Sequence, residues 1–172
     1  MSYSKKAGFR WEHLGDITAG RLNLGENMPV IIYRLFQYTL RDILEKHYGE
    51  LEASQLYEEA GYLAGIEFTK NVLDTSGDFD FFISNLKIKL RELKIGILNI
   101  EKIDLASLSI TLTVAEDIDC SGLPVYGKTV CDYDEGFIRG IFETYSGVKF
   151  TVKEVDCWAT GDRVCRFKAT KK

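Results

Sequence analysis

Residues 148–169 read VKFTVKEVDCWATGDRVCRFKA, and this segment carries the clearest signal for the architecture of the chain. Two runs of β-branched and aromatic residues flank a polar turn at Gly161, a pattern typical of two antiparallel strands joined by a short connection. Cys157 and Cys165 lie on opposite arms, about equally far from the turn, so their side chains can meet across the strands. We therefore predict a C-terminal hairpin that brings two cysteines together.

The first arm of this hairpin changes phase near its middle. Apolar residues occupy even positions before the change and odd positions after it: Val148, Phe150 and Val152, then Val155, Cys157 and Ala159. A β-bulge near Glu154 and Val155, which adds one residue to the strand, would explain the shift. Residues three apart on a regular strand face opposite sides, but the bulge would place Glu154 and Cys157 on the same side.

A third cysteine, Cys131, directly precedes a predicted helix, whose positive N-terminal dipole favours a thiolate. With Glu154, Cys157 and Cys165 it would supply three sulfurs and one carboxylate, a closed tetrahedral set typical of structural zinc. Two other interpretations stay open on spacing alone. The cysteines could be buried apolar side chains, or Cys157 and Cys165 could form a disulfide. Cys120 lies in a predicted loop and receives no role.

The rest of the chain has helical periodicity first and strand periodicity later. The predicted elements are, in order, a strand near 17–24, helices over 30–48 and 52–72, a helix beginning after Asp78, a hairpin with strands at 97–103 and 108–114, and a helix bounded by an Asp132/Glu135 capping box and Gly147. Gly61 and Gly65 of the second helix would permit close helix approach. This order indicates an α+β fold, a mostly antiparallel sheet with helices packed against it.

Composition limits the classes of function. The 172 residues, 45% hydrophobic, suit a single domain over residues 1–172. The formal net charge of −4 gives no basic field for phosphate backbones, so we expect no nucleic-acid partner. No stretch approaches the ~20 apolar residues of a membrane span, and the first residues lack the apolar core of a signal peptide. We therefore expect a cytoplasmic protein without membrane insertion.

One complete motif match is set aside. Residues 122–129, GLPVYGKT, satisfy the phosphate-loop pattern. That loop works when a strand feeds into it and its lysine opens a helix, so that backbone amides point at phosphates. Here the predicted helix begins only near Asp132, and Pro124 stiffens the loop. We therefore interpret the match as chance.

Two stretches resemble a known family: GKTVCDYDEGFIRG at 127–140 and EVDCWATGDRVCRF at 154–167. They are similar to the 4-vinyl-reductase (hydrocarbon-binding) domain family. That family includes the sensory domains of phenol-responsive transcription activators and an accessory protein of bacteriochlorophyll synthesis, on a fold similar to that of transport-particle (TRAPP) subunits. In the phenol sensors Cys, Glu, Cys and Cys hold a zinc, and the resemblance implies the same roles for Cys131, Glu154, Cys157 and Cys165.

The resemblance implies a stand-alone zinc-containing domain, assembled as a homodimer, that binds a small hydrophobic or aromatic molecule for sensing or carriage. The phenol sensors anchor the ligand hydroxyl through a His and a Trp. This chain has only His13 and His47, and Ile110 stands where the Trp is expected. The expected pocket lining is Phe82, Leu108, Ile110, Ile141 and Val152, with an ordinary hydrophobic core as the alternative.

Two other functions remain open. The family's name suggests reduction of a tetrapyrrole vinyl group, or an accessory role in it, although the sequence has no evident catalytic constellation or nicotinamide fingerprint. Alternatively, the apolar helices at 30–48 and 52–72 would form the face of a dimeric protein-interaction scaffold.

Overall fold

Helices and a four-stranded antiparallel sheet make up residues 8–104 and 107–172, which the computed structural model describes. The helices are α1 (Ile17–Gly20), α2 (Val30–Tyr48), α3 (Glu50–Val72), α4 (Phe79–Glu92) and α5 (Asp132–Ser146), and the strands are β1 (Ile97–Asp104), β2 (Ser109–Ala115), β3 (Phe150–Asp156) and β4 (Cys165–Lys171). Short 3₁₀ turns lie at Trp11–Leu14 and Trp158–Thr160. The predicted α+β class with a mostly antiparallel sheet is confirmed.

The sheet is built from two hairpins joined through α5. Its strand order is β1-β2-β4-β3, and all neighbours are antiparallel. The last strand, β4, therefore lies inside the sheet between β2 and β3. Leu112 of β2 pairs with Phe167 of β4, and Val114 pairs with Cys165. The hairpin that carries the cysteines is thus fixed on both sides of its second arm.

One face of the sheet forms a single core with α4 and α5. Leu112 and Phe167 are almost fully buried there, together with Phe82 of α4 and Ile141 of α5. Buried positions alternate along β2 and β4, as expected for strands with one covered face. The cysteine end of the hairpin is part of the same core.

Helices α3 and α5 pack backbone against backbone. A Cβ added at Gly61 or Gly65 of α3 would collide with main-chain atoms of α5. One at Gly136 or Gly140 of α5 would collide with main-chain atoms of α3 in return. The close helix approach predicted from Gly61 and Gly65 is confirmed, and α5 supplies the matching glycines.

The predicted strand near residues 17–24 is wrong. Ile17–Gly20 is one helical turn, in which the Asp16 side chain accepts a hydrogen bond from the Ala19 N–H at 2.8 Å. This local cap outweighs the weak strand periodicity because the segment is exposed and has no neighbouring strand to pair with among the described residues.

The predicted capping box at the start of α5 is also wrong. Asp132 is the first helical residue rather than the cap, and its carboxylate binds Arg41 of α2 at 2.9 Å and Ser54 of α3 at 3.1 Å. Glu135 turns toward the sheet instead, where it accepts the Glu154 N–H at 2.7 Å. Tertiary partners therefore take both side chains that the local motif would have used.

No helix within the described residues is long and apolar enough to cross a membrane.

Candidate metal centre and ligand cavity

The four cysteines of the chain converge in the core. The Cys131 Sγ lies 3.8 Å from the Sγ atoms of both Cys157 and Cys165, and the Cys120 Sγ lies 3.0 Å from that of Cys165. All four side chains are at most 1% exposed, and the four sulfurs lie within 4.8 Å of one another. Sulfurs at ~2.3 Å from a tetrahedral zinc stand ~3.8 Å apart, so this spacing suits one ion.

The four thiols are free, including the pair for which a disulfide was an open interpretation. The measured sulfur separations are well above the ~2.05 Å of a disulfide bond. The structure thus holds a cluster of free thiols.

The predicted bulge brings Glu154 to this cluster. Glu154 pairs with Phe167 and Asp156 pairs with Arg166, so Val155 is the extra residue and faces solvent. Glu154 and Cys157 are both buried, on the same side of the strand. The predicted bulge and its effect on side-chain direction are therefore confirmed.

Glu154 also contacts the third segment of the site. Its Oε2 accepts the Cys131 N–H at 3.1 Å. Its Oε1 is buried without a hydrogen-bond partner among the described residues. This carboxylate thus fixes the backbone of one cysteine and leaves one oxygen available to a ligand.

Four separate segments position the sulfurs. Cys131 caps the start of α5, and Cys165 is the first residue of β4. Cys157 follows β3, where Thr160 holds its backbone by accepting the Cys157 N–H at 3.0 Å and donating to the Cys157 carbonyl at 2.7 Å. Cys120 lies in the loop of residues 116–131. Sequence reasoning missed Cys120 because no periodic pattern surrounds it, although a fourth cysteine in a chain with three candidate ligands was a usable signal.

Proton equilibria at the cluster are strongly perturbed. Burial, with a further contribution from the nearby Cys157 sulfur, raises the pKa of Glu154 to about 9. Hydrogen bonds with Cys120 and the other thiols lower the pKa of Cys157 and raise the pKa values of Cys131 and Cys165. Full ionisation would place several negative charges in the core, a state that a bound cation would stabilise.

A second group of buried acids borders the cluster. Asp117 and Asp134 each place a carboxylate oxygen within 4.8 Å of the Cys131 sulfur. The Asp119 Oδ1 accepts the Tyr33 hydroxyl at 2.7 Å, whereas the Oδ2 atoms of Asp119 and Asp134 are buried without a hydrogen-bond partner in the described part of the chain. Burial and the neighbouring Asp119 raise the pKa of Asp117 to about 7. These carboxyl groups are therefore available as hydrogen-bond acceptors in an otherwise apolar region.

These acids line a cavity of about 290 Å³, here called the amino-terminal cavity. Its lining includes Trp11, Ala64, Phe68 and Phe137 on the apolar side and Tyr33, Asp119 and Asp134 on the polar side. The 3₁₀ turn at Trp11–Leu14 forms one wall, held by a 3.0 Å hydrogen bond from the Trp11 N–H to Glu67 of α3. The cavity thus combines aromatic walls with acceptor groups.

Two further cavities differ in size and lining. The α2–α3 cavity of about 240 Å³ lies between Phe36, Leu40 and Tyr57, among others. The core cavity, between the sheet and the helices α4 and α5, measures about 30 Å³, which is room for about one water molecule.

The residues expected to line a ligand pocket lie mainly in the core. Phe82 stacks on Tyr145 with ring centroids 3.9 Å apart, Ile110, Ile141 and Val152 are buried, and Leu108 is half-buried in the turn before β2. Among these five, Ile141 lines the core cavity. The amino-terminal cavity was not found from the sequence because its lining comes from the N-terminal turn and a loop, which have no periodic pattern.

The loop with the phosphate-binding motif contacts the C-terminal hairpin. The N–H groups of Tyr126 and Gly127 donate to the Ala159 carbonyl at 2.8 and 3.0 Å. The Lys128 ammonium forms an ion pair with Glu50. Backbone amides of the motif thus bind protein oxygen.

Comparisons with known proteins connect these features. Residues 110–171, which include all four cysteines, match the vinyl-4-reductase domain. The chain is 30% identical over 145 residues to the uncharacterized protein MJ1642 of Methanocaldococcus jannaschii, covering 84% of this chain and 78% of that protein. It is 29% identical over 119 residues to MJ0150 of the same organism, covering 69% of this chain and 68% of that protein.

Solved structures share the fold at low sequence identity. The phenol-responsive sensory domain of the transcription activator PoxR, solved with phenol, has a TM-score of 0.63 at 16% identity, covering 86% of this chain and 76% of that chain. A trafficking protein particle complex subunit 3 from Naegleria fowleri, covalently bound to palmitic acid, has a TM-score of 0.67 at 13% identity, covering 83% and 95%. A vinyl-4-reductase family protein from M. jannaschii has a TM-score of 0.61 at 16% identity, covering 96% and 99%.

Proposed function

Because this chain belongs to the vinyl-4-reductase domain family, we propose that it binds a small hydrophobic or aromatic molecule, for sensing or carriage, and that a structural zinc ion stabilises it. The proposal on the ligand depends on the amino-terminal cavity. A volume of about 290 Å³, aromatic walls and a few converging polar groups are typical of a small-molecule site.

The polar side of this cavity defines the ligand's chemistry. The buried carboxylate oxygens of Asp119 and Asp134 accept hydrogen bonds, so the ligand offers an O–H or N–H group on an apolar body. Phenol, with which the PoxR sensory domain was solved, is a molecule of this kind. The acceptors here are carboxyl groups, so we expect a ligand related to phenol in chemistry rather than phenol itself.

Native mass spectrometry of protein purified from its own host tests this proposal. We expect a co-purified small molecule on the wild-type chain and its loss from Ala64→Phe, since Ala64 lines the amino-terminal cavity and a phenyl ring would fill it. The matched control is Ala60→Phe, one helical turn earlier, which fills the α2–α3 cavity instead and should keep the molecule. A wild-type chain that never carries a small molecule, or equal loss in both variants, would refute the proposed site.

The cysteine cluster suits zinc by the chemistry of its donors. Thiolates from Cys131, Cys157 and Cys165 would occupy three positions, and the fourth position is adjacent to both Glu154 and Cys120. A closed set of this kind gives zinc a structural role, in which the ion links the C-terminal hairpin to the start of α5. Four free thiols also support a reducing compartment such as the cytoplasm.

Elemental analysis tests the zinc proposal. Protein purified without added metal should contain about one zinc per chain, and a Cys131→Ser/Cys157→Ser variant should contain none. A wild-type chain that purifies without any transition metal would contradict the proposal.

A homodimer is the second part of the proposed assembly, supported by α2. This helix exposes large apolar side chains along its length, among them Ile31, Leu35 and Phe36. Exposed apolar faces of this extent mark interaction surfaces, and a self-complementary face suits a two-fold dimer.

A further inference from the structure

We infer that Cys120 is the fourth zinc ligand, so that four sulfurs bind the ion and Glu154 remains outside its coordination sphere. This inference depends on the proposed zinc site and departs from the Cys, Glu, Cys and Cys set that the family resemblance implies.

The first argument is the geometry of the ligand atoms. The potential ligand atoms that lie within 4.8 Å of one another at this site are the four sulfurs of Cys120, Cys131, Cys157 and Cys165. Cys120 is 0% exposed, and its sulfur lies nearer to Cys165 than the Cys131 sulfur does, at 3.0 Å against 3.8 Å. Cys120 is therefore already inside the cluster and needs no movement of the loop to reach a shared ion.

The second argument is the position of Glu154. Its Oε2 accepts the Cys131 N–H at 3.1 Å, and its own N–H is held by Glu135 at 2.7 Å. A carboxylate that hydrogen-bonds the backbone of a ligand residue is a typical outer partner of a metal site, where it orients the ligand. Its buried Oε1 makes it the competitor for the fourth position.

The two candidates leave different groups behind. If Glu154 binds the ion, the Cys120 thiol stays buried beside a coordinated sulfur of Cys165 without a role. If Cys120 binds, every sulfur of the cluster is used and Glu154 keeps its hydrogen bond to Cys131. Four cysteines are also a common ligand set of structural zinc, and thiolates are the softer ligands.

Coordination by Cys120 would connect the ion to α2. The neighbouring Asp119 accepts the Tyr33 hydroxyl at 2.7 Å through its side chain and the Tyr38 hydroxyl at 3.0 Å through its carbonyl. The Ile118 carbonyl accepts from Arg34 Nε at 2.6 Å. The ion would thus fix a loop that positions α2 and contributes Asp119 to the amino-terminal cavity.

X-ray absorption at the zinc edge and the spectrum of the cobalt-substituted protein test the inference. We expect four sulfur neighbours in the wild-type chain. Cys120→Ser should lower the sulfur number to three and remove about a quarter of the sulfur-to-cobalt charge-transfer intensity, because one of four Co–S bonds is lost. The matched variant Glu154→Gln keeps an acceptor for the Cys131 N–H and should keep the four-sulfur spectrum.

The opposite pattern would overturn the inference. Three sulfurs and one oxygen in the wild-type chain, with a spectrum that changes in Glu154→Gln, would assign the fourth position to Glu154 while leaving the zinc proposal intact. A wild-type chain without metal would refute both. If Cys120→Ser fails to fold, the wild-type spectrum and the Glu154→Gln spectrum still decide the question.

Discussion

Among single residues, Glu135 joins the start of α5 to the bulged strand. Its Oε1 accepts the Glu154 N–H at 2.7 Å, and its Oε2 binds the Lys153 ammonium. The Glu135 side chain is 7% exposed, whereas that of Lys153 is 60% exposed. The hydrogen bond to the backbone is therefore the buried part of this pair, and it holds the strand where it departs from regular pairing.

We expect Glu135→Ala to destabilise the protein by about 1–3 kcal/mol, because it leaves the buried Glu154 N–H without an acceptor. Lys153→Ala, which removes only the exposed partner, should cost about 1 kcal/mol or less. Urea denaturation of both variants at pH 7 measures the difference. Equal losses would show that the contact with Lys153, rather than the buried hydrogen bond, stabilises this part of the strand.

Glu143 makes stability depend on pH. Burial disfavours its charge, but hydrogen bonds from Lys149, the Phe150 N–H and the Tyr62 hydroxyl outweigh burial and lower the pKa of Glu143 in the folded chain. A lowered folded pKa stabilises the protein fully above the unfolded pKa of ~4.3, and this contribution is lost as the pH falls through the folded value.

We therefore expect the free energy of unfolding of the wild-type chain to fall more steeply below about pH 4.3 than that of Glu143→Gln. The comparison is a series of urea denaturation curves between neutral and acid pH for both proteins. Loss of zinc at acid pH affects the two chains alike, so the difference between the curves reports Glu143. Parallel curves would exclude a lowered folded pKa.

Between secondary-structure elements, the contact of α3 with α5 depends on missing side chains. Gly136 lies against the Glu58 carbonyl, and a Cβ there has no flexible side chain to push aside. We expect Gly136→Ala to destabilise the protein by about 1–3 kcal/mol, because two backbones must separate. The matched control is Gly20→Ala in α1, where nothing lies within 4 Å of the added Cβ. It should change the melting temperature little or raise it slightly, since Ala favours helices over Gly.

The elements that the sequence predicted well are those whose signals are local. Pro29 and Gly49 bound an apolar run, and α2 is Val30–Tyr48 as predicted. Asp78 caps α4 through the Phe81 N–H, and the change of phase in β3 correctly predicted the bulge. Each of these signals lies within a few residues of the feature it predicts.

The features that sequence reasoning missed depend on contacts between distant segments. Cys120 joins Cys165 across 45 positions of the chain, and Asp132 turns to Arg41 across 91 positions. The amino-terminal cavity likewise forms where the Trp11 turn meets α3, α5 and a loop. A pattern of periods and caps contains no information on such meetings, so the fourth sulfur and the cavity required the fold.

Across the entire chain, the apolar surface is distributed unevenly. The inner face of the sheet is covered by α4 and α5, whereas α2 leaves Ile31 and Phe36 about 70% exposed. The α2–α3 cavity lies directly beside Phe36. Burial of such side chains contributes roughly 1.5–3 kcal/mol each, so covering this face by a second copy would stabilise the assembly.

We expect the wild-type chain to be a dimer at micromolar concentration and Phe36→Glu to be a monomer, because two-fold pairing of α2 would bury the new charge twice. The matched control is Ile88→Glu, which places the same charge at an apolar residue of α4 that is 54% exposed and distant in sequence from α2. Sedimentation equilibrium over a range of concentrations measures the molecular mass of each protein. A wild-type monomer at all concentrations, or equal dissociation of both variants, would contradict an α2 interface. Circular dichroism of Phe36→Glu should match that of the wild-type chain, which separates dissociation from unfolding.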